Sequence, residues 1–204
     1  GTEGVEDALA VSTAAECVVS VAEQTQANLR WAGNSLTTNG QMHARTGTVT
    51  AIVDVEGGRA AGTVSGPVTS ADDLLALVRA ADAAAAASPA SDEAMDLPEG
   101  RVDDDFAEPA TGTSIEVFAQ LAAGLGQAFE AARADGHLLF GFAEHQLTTT
   151  WLATSAGVRR RHVQPMGRIE LNAKQPDMIA SAWAGQATVD FTDVDAEALH
   201  ADVL

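Results

Sequence analysis

The stretch 148–174, TTTWLATSAGVRRRHVQPMGRIELNAK, decides how this chain folds. It contains two turn triplets, Ser155-Ala156-Gly157 and Pro165-Met166-Gly167, and each ends in a glycine that can adopt a positive φ. Residues that can alternate across a sheet flank both triplets. The stretch therefore predicts two consecutive β-hairpins.

The same stretch carries five of the eleven basic side chains of an acidic protein. Arg159, Arg160 and Arg161 precede His162, and in a strand these four side chains point alternately to the two faces of the sheet. One interpretation is an exposed edge strand whose charge prevents edge-to-edge pairing. The other is a strand that lines a cavity or a subunit interface and meets carboxylates there.

The second predicted hairpin also sets a register. A three-residue loop at 165–167 places His162 opposite Glu170, with the apolar side chains of this ribbon on the other face. The ribbon is therefore the candidate surface for contact with a peptide or a second subunit. Its candidate residues are Arg159, Arg160, Arg161, His162, Arg168, Glu170 and Lys174.

Composition excludes several classes of protein. The net charge of −18 would repel nucleic-acid phosphates, which excludes general DNA or RNA binding. The single cysteine, Cys17, cannot form an internal disulfide, and no basic-then-apolar signal segment is visible, so we expect a cytoplasmic protein. No apolar run approaches the about 20 residues of a membrane helix. Aromatic residues are scarce, so the three tryptophans, Trp31, Trp151 and Trp183, are expected to be important anchors.

Segment 88–112 separates two strand-rich halves. It holds three prolines and eight acidic residues with little apolar content, which predicts an acidic linker. In the half 1–87, Ser70 and Asp73 have capping-box spacing and begin a helix. In the half 113–204, Thr113 and Glu116 have the same spacing. The predicted fold class is α+β, with two layers in which helices pack on largely antiparallel sheets.

No catalytic constellation is visible in the sequence. None of the five histidines stands in a metal-binding pair such as H-E-x-x-H. Cys17 leads into an apolar strand, where burial would raise the pKa of its thiol. The carboxylates of Asp103, Asp104 and Asp105 lie in the linker, where a solvated charge run is expected. We therefore predict no catalytic residue and no metal ligand in this chain.

Three segments carry a resemblance to a known family. They are NLRWAGNSLTTNG at 28–40, GFAEHQLTTTWLATSAGVRRRHVQPMGRIELNAK at 141–174 and SAWAG at 181–185. Together and in this order they resemble the TldD/PmbA family of zinc metallopeptidases, also called modulators of DNA gyrase. Within that family they look like the amino-terminal region of an actinobacterial PmbA-type (TldE) subunit.

The resemblance implies the amino-terminal domain of a longer protein, with the carboxy-terminal domain outside this sequence. In the family, a TldD-type subunit binds zinc through two histidines and a glutamate, whereas the TldE-type partner lacks that motif. The two subunits form a heterodimer around a chamber that receives unfolded peptides. The implied partners of this chain are thus a TldD-type subunit and an extended peptide substrate.

The resemblance therefore implies a non-catalytic scaffold and peptide-chamber domain. It implies no cofactor in this chain, and zinc in the catalytic partner or in the missing carboxy-terminal domain. Two alternatives stay open. The chain could be a portion of a catalytically active zinc metallopeptidase, or a stand-alone acidic module that binds proteins.

Overall fold

The computed structural model of the chain describes residue 2 and residues 4–203. Its six strands form one sheet in the order β3-β2-β1-β4-β5-β6, and the pairs β2–β3 and β5–β6 are antiparallel. The predicted α+β class, with helices on a largely antiparallel sheet, is confirmed. The elements are α1 Val5–Val11, β1 Glu16–Trp31, β2 Leu36–Val55, β3 Gly58–Pro67, α2 Ala71–Ala86, a 3-10 helix Ile115–Phe118, α3 Ala119–Ala134, β4 Leu138–Thr154, β5 Arg159–Lys174, β6 Ser181–Thr188 and α4 Ala196–Ala201.

The described residues divide into two compact units, and each unit takes three segments of the chain. Unit 1 comprises the described residues within Gly1–Glu23, Ala44–Thr111 and Thr148–Val163, and unit 2 comprises those within Gln24–His43, Gly112–Leu147 and Gln164–Leu204. The expected division into 1–87, 88–112 and 113–204 stays a prediction about domain organisation.

Unit 1 is built on a core of small aliphatic side chains. Helices α1 and α2 contribute Val5, Leu74 and Val78, which are buried together with Val19 and Val49 of the strands. Helix α2 approaches β3 very closely, because a Cβ at Gly62 would lie only 2.3 Å from the backbone nitrogen of Ala85. The alanine-rich end of α2 thus lets helix and strand backbones meet without side chains between them.

Helix α2 begins with the capping box that the sequence predicts. The Ser70 hydroxyl accepts a hydrogen bond from the backbone N–H of Asp73, and the Asp73 carboxylate accepts from the backbone N–H of Ser70 at 2.9 Å. The same carboxylate accepts from the Thr69 backbone N–H and hydroxyl at 2.8 and 2.7 Å. The Thr69 hydroxyl and these backbone groups lower the pKa of Asp73 from 3.8 to about 2.

Unit 2 has the larger side chains in its core. The spacing of Val117, Phe118, Leu121, Leu125 and Phe129 predicts one apolar stripe on a helix. The stripe is confirmed, since Val117 is half-buried against the core and the other four are buried. The ring of Phe118 meets the edge of Phe191 at a centroid distance of 4.9 Å. Aromatic packing between Phe118 and Phe191 therefore stabilises the helical part of unit 2.

The start of the second helical segment differs from the prediction. Ser114, not Thr113, caps the 3-10 helix, and its hydroxyl accepts from the backbone N–H of Glu116 at 3.3 Å. The Thr113 hydroxyl is instead hydrogen-bonded to Nδ1 of His145 at 2.6 Å. A strand residue distant in the sequence thus engages the hydroxyl that the local spacing assigned to the cap.

The predicted double hairpin is only half right. The turn at 155–157 joins β4 to β5, but β5 continues through Pro165, Met166 and Gly167 without a turn. The cross-strand pairing of His162 with Glu170 is therefore wrong, and Glu170 instead pairs with Gly185 of β6. Gly167 is needed for packing, because a Cβ there would lie 3.0 Å from the Phe191 ring and from Thr188. Pro165 precedes the ladder with β6, which begins at Gly167.

The close approach of α2 to β3 can be tested with two matched glycine substitutions in β3. We expect Gly62→Ala to lower the free energy of unfolding by about 1–3 kcal/mol, because the new methyl group meets backbone atoms that cannot move aside. Gly66→Ala is the control, since its Cβ would meet only the Leu77 side chain, at 3.2 Å. Its effect should stay below about 1 kcal/mol. Equal losses in urea denaturation would contradict this account.

The capping box makes a prediction about pH. Because the folded state lowers the pKa of Asp73 to about 2, the stabilisation from its carboxylate is complete above pH 3.8 and is lost as pH falls toward 2. Asp73→Asn should therefore lower the melting temperature at neutral pH, and its difference from the wild type should shrink between these two values. Asp72→Asn, in the same helical turn, is the control. A difference that is constant with pH would refute the assignment.

Candidate functional site

The arginine run of β5 points to both faces of the sheet, as its alternation predicts. The side chains of Arg159 and Arg161 are only 18% and 10% exposed, whereas that of Arg160 is 46% exposed. His162 is exposed and shares the face of Arg160. The two faces therefore place these cations in different surroundings.

Arg159 connects β5 to the first helix of unit 1. Its Nε and Nη2 donate to the two carboxylate oxygens of Glu6 at 2.6 and 2.7 Å, which is a bidentate pair. Its Nη1 donates to the carbonyl oxygens of Thr154 and Val158. The Arg159 guanidinium lowers the pKa of Glu6. Arg159 thus holds helix α1 against the β4–β5 turn.

Arg160 and Arg161 bind the acidic segment 101–111 of the same unit. Arg160 Nη1 donates to Asp103, and the backbone N–H of Arg161 donates to the other oxygen of that carboxylate at 3.1 Å. The Arg161 guanidinium donates to Asp105 at 3.1 Å and to the carbonyl oxygen of Pro109 at 2.7 Å. The Arg161 backbone N–H and the Arg160 guanidinium hold the pKa of Asp103 below its usual range.

Backbone pairing reinforces this attachment. The N–H of Arg159 donates to the carbonyl of Arg101 at 3.0 Å, and the N–H of Asp103 donates to the carbonyl of Arg159 at 2.8 Å. Val102 and Arg159 thereby form a parallel bridge. The segment passes close to the β4–β5 turn at Gly100, a residue without a Cβ. A Cβ at this position would lie 2.1 Å from the carbonyl carbon of Gly157, so the close approach requires glycine. This part of the predicted linker is bound to β5 through the bridge at Val102, and it forms a turn at 104–107.

The other candidate residues lie in unit 2. The Arg168 guanidinium lies 4.9 Å from the centre of the Phe142 ring and 3.6 Å from Glu170, and Lys174 lies 5.2 Å from the centre of the Phe140 ring. The seven candidate residues thus form two clusters, 159–162 in unit 1 and 168–174 in unit 2. Their role in contacting a peptide or a subunit stays a prediction.

Sequence reasoning missed the aromatic partners of the second cluster. Trp31 and Trp151 are buried as expected of anchors, but Trp183 is 59% exposed and donates Nε1 to Glu170 at 3.4 Å. The spacing of Phe140 and Phe142 in β4 is a signal that could have indicated a shared face, because residues two apart in a strand lie on one side.

Residues with metal-binding or nucleophilic chemistry are dispersed. Within residue 2 and residues 4–203, no group of three or more His, Cys, Asp or Glu side chains is placed to hold a metal ion. Cys17 is buried, and burial raises the pKa of its thiol. His145 is buried between the Thr113 hydroxyl and the carbonyl oxygen of Val189, at 2.6 and 2.7 Å. The burial of Cys17 and the hydrogen bonds of His145 within the fold indicate a structural role for both side chains.

No helix within the described part of the chain is both long and apolar enough to cross a bilayer.

Comparison with known proteins gives matches among solved structures. No protein-family model and no curated protein matches the chain. TldE from Thermococcus kodakarensis matches with a TM-score of 0.75 and 12% identity, over 98% of this chain and 46% of that protein. A candidate modulator of a DNA gyrase from Thermotoga maritima matches with a TM-score of 0.66 and 13% identity, over 97% of this chain and 45% of the other.

A third structure, a candidate modulator of DNA gyrase from Bacteroides thetaiotaomicron, matches with a TM-score of 0.67 and 10% identity. The match covers 98% of this chain and 48% of that protein. The chain thus spans about half the length of each of these proteins. Identities this low establish the fold alone, and on that basis the chain has a TldD/PmbA/TldE-type fold.

Proposed function

We propose that this chain is a scaffold and peptide-chamber domain, without catalytic residues of its own, in a TldD/TldE-type zinc metallopeptidase assembly. The observation that carries the proposal is the match of 98% of the chain to TldE at a TM-score of 0.75. In this proposal a TldD-type subunit, or a carboxy-terminal domain beyond this sequence, supplies zinc and the hydrolytic chemistry. The partners are that subunit, in a heterodimer, and extended peptides in the cytoplasm.

The arginine cluster of unit 1 supports a contact role. Arg160 pairs with Asp103, yet 46% of its side chain stays exposed, so part of the guanidinium is accessible to a second protein. Asp103 therefore competes for a cation that a partner carboxylate or a peptide carbonyl would use. The large negative charge of the chain opposes the alternative of a nucleic-acid partner.

The first test separates the proposed scaffold from the two other functions. The purified chain should contain no stoichiometric zinc and cleave no peptide by itself, and it should co-purify with a TldD-type subunit whose peptidase activity requires zinc. Metal analysis and a peptide cleavage assay of chain, subunit and mixture measure this. Stoichiometric zinc or cleavage by the chain alone would favour a catalytic peptidase. A stable monomer that does not bind the TldD-type subunit would favour a stand-alone binding module.

A second test addresses Arg160 as a contact residue. We expect Arg160→Ser to weaken association with the TldD-type subunit by about two- to fivefold, the scale of one exposed ion pair. Asp103→Ser should leave the affinity unchanged or raise it, because it releases the guanidinium for the partner. Arg79→Ser, on the exposed surface of α2, controls for net charge. Equal weakening by Arg160→Ser and Asp103→Ser would show that the pair acts only by holding the acidic segment in place.

A further inference from the structure

Unit 2 carries a sheet face that its helices leave open. Alternation along β5 buries Ile169, Leu171 and Ala173 in the core and turns the residues between them to the opposite side. Arg168, Glu170, Asn172 and Lys174 of β5 lie on that opposite side, beside aromatic side chains of β4 and β6. We name as the aromatic–cation face the residues Arg30, Phe140, Phe142, Arg168, Lys174 and Trp183.

Cations of this face lie beside aromatic rings at short range. The Arg168 guanidinium is 4.9 Å from the centre of the Phe142 ring, and the Lys174 ammonium is 5.2 Å from the centre of the Phe140 ring. Arg30 lies 6.0 Å from the Phe142 ring centre. Rings at these distances attract the charges, which restricts the long side chains without neutralising them. The Arg168 side chain stays 55% exposed.

Trp183 is held in place on the same face. A Cβ at Gly185 would lie 2.6 Å from Cζ2 of the indole, so the ring lies over a strand position that only glycine can supply. Its Nε1 donates to Glu170 at 3.4 Å, and 59% of the residue remains exposed. An exposed indole that is already oriented loses little conformational entropy on binding. This arrangement is typical of a binding surface.

Charge is segregated within unit 2. The segments of this unit contain eleven acidic and four basic side chains. Three of the four bases, Arg30, Arg168 and Lys174, lie on the aromatic–cation face. Glu144 and Glu170 lie close to these bases, within 4.0 and 3.6 Å of Arg168. The face is therefore the cationic part of an otherwise acidic unit.

We propose that the aromatic–cation face binds an extended polypeptide segment with acidic side chains. Arg168 and Lys174 are six residues apart in one strand, about 20 Å, which matches carboxylates about six residues apart in an extended peptide. Trp183 offers an apolar contact between such groups. A polyphosphate carries more negative charge per unit length than such a peptide, so Glu144, Glu170 and the net charge of −18 repel it more strongly. The inference rests on the proposed function for the expectation of extended peptides, and it adds the surface and the chemistry of the ligand.

Fluorescence can test the proposal on the chain without any partner subunit. Since Trp31 and Trp151 are buried, acrylamide quenching of tryptophan fluorescence reports mainly on Trp183. The probes are three peptides of about nine residues, long enough to span Arg168 and Lys174, in which Thr alternates with Glu, Gln or Lys. The Glu peptide should protect Trp183 from acrylamide, and salt should weaken this protection. Equal protection by all three peptides would overturn the proposal.

Substitutions sharpen the test. Arg168→Ser should weaken binding of the Glu peptide at least about fivefold, as for a residue central to an interface. Gly185→Ala should also weaken it, because the methyl group displaces the indole, and circular dichroism verifies that both variants are folded. Arg79→Ser makes the same charge change on α2 of unit 1 and should leave binding unchanged. An equal loss of peptide binding in Arg79→Ser would show that the effect comes from net charge alone, and it would overturn the assignment.

Two other outcomes would also overturn it. One is tighter protection by an oligothymidine than by the Glu peptide, which would identify a nucleic-acid surface. The other is protection that grows with protein concentration in the absence of peptide, which would identify a contact between two copies of the chain. Failure of peptide binding while a TldD-type subunit still associates would refute this inference alone. Binding of the Glu peptide without subunit association would refute the proposed assembly alone.

Discussion

The alternation of side chains along long strands is the constraint on which both candidate surfaces depend. Because neighbouring residues of a strand point to opposite faces, β5 can supply Ile169 and Leu171 to a helix-covered core and still present Arg168 and Glu170 on the other side. One strand thereby contributes to a core and carries binding groups at the same time. A single-residue slip of register would exchange the two sets.

Some of the excess acidic residues form ion pairs with arginines of the same chain. Asp103 and Asp105 bind the arginines of β5, and Glu6 binds Arg159 with two hydrogen bonds. Each of these carboxylates is partly exposed, so each pair contributes only modestly to stability. Their combined effect is positional, because together with the packing of Phe106 against the core of unit 1 they hold the acidic segment 101–111 beside β5. The arginine run thus has a structural role in unit 1, and a partner that binds these arginines must compete with the carboxylates of Glu6, Asp103 and Asp105.

The helices were predictable because their signals are local. The capping box at Ser70 and Asp73 and the stripe at Phe118, Leu121 and Leu125 act within a few residues, so neither depends on the rest of the fold. The second hairpin was not predictable on that basis. Glycine and proline at 165–167 indicate a turn locally, but Gly167 is required by the ring of Phe191, which is remote in the sequence.

The sequence by itself determined the α+β class, the two principal helices and the turn that joins β4 to β5. These follow from periodicity, capping and turn chemistry, which act over short distances along the chain. The tertiary structure alone decided that the arginines of β5 bind the acidic segment, and that Trp183 lies exposed beside Glu170. Both depend on which strands and segments become neighbours, and that is set by packing between residues far apart in the sequence.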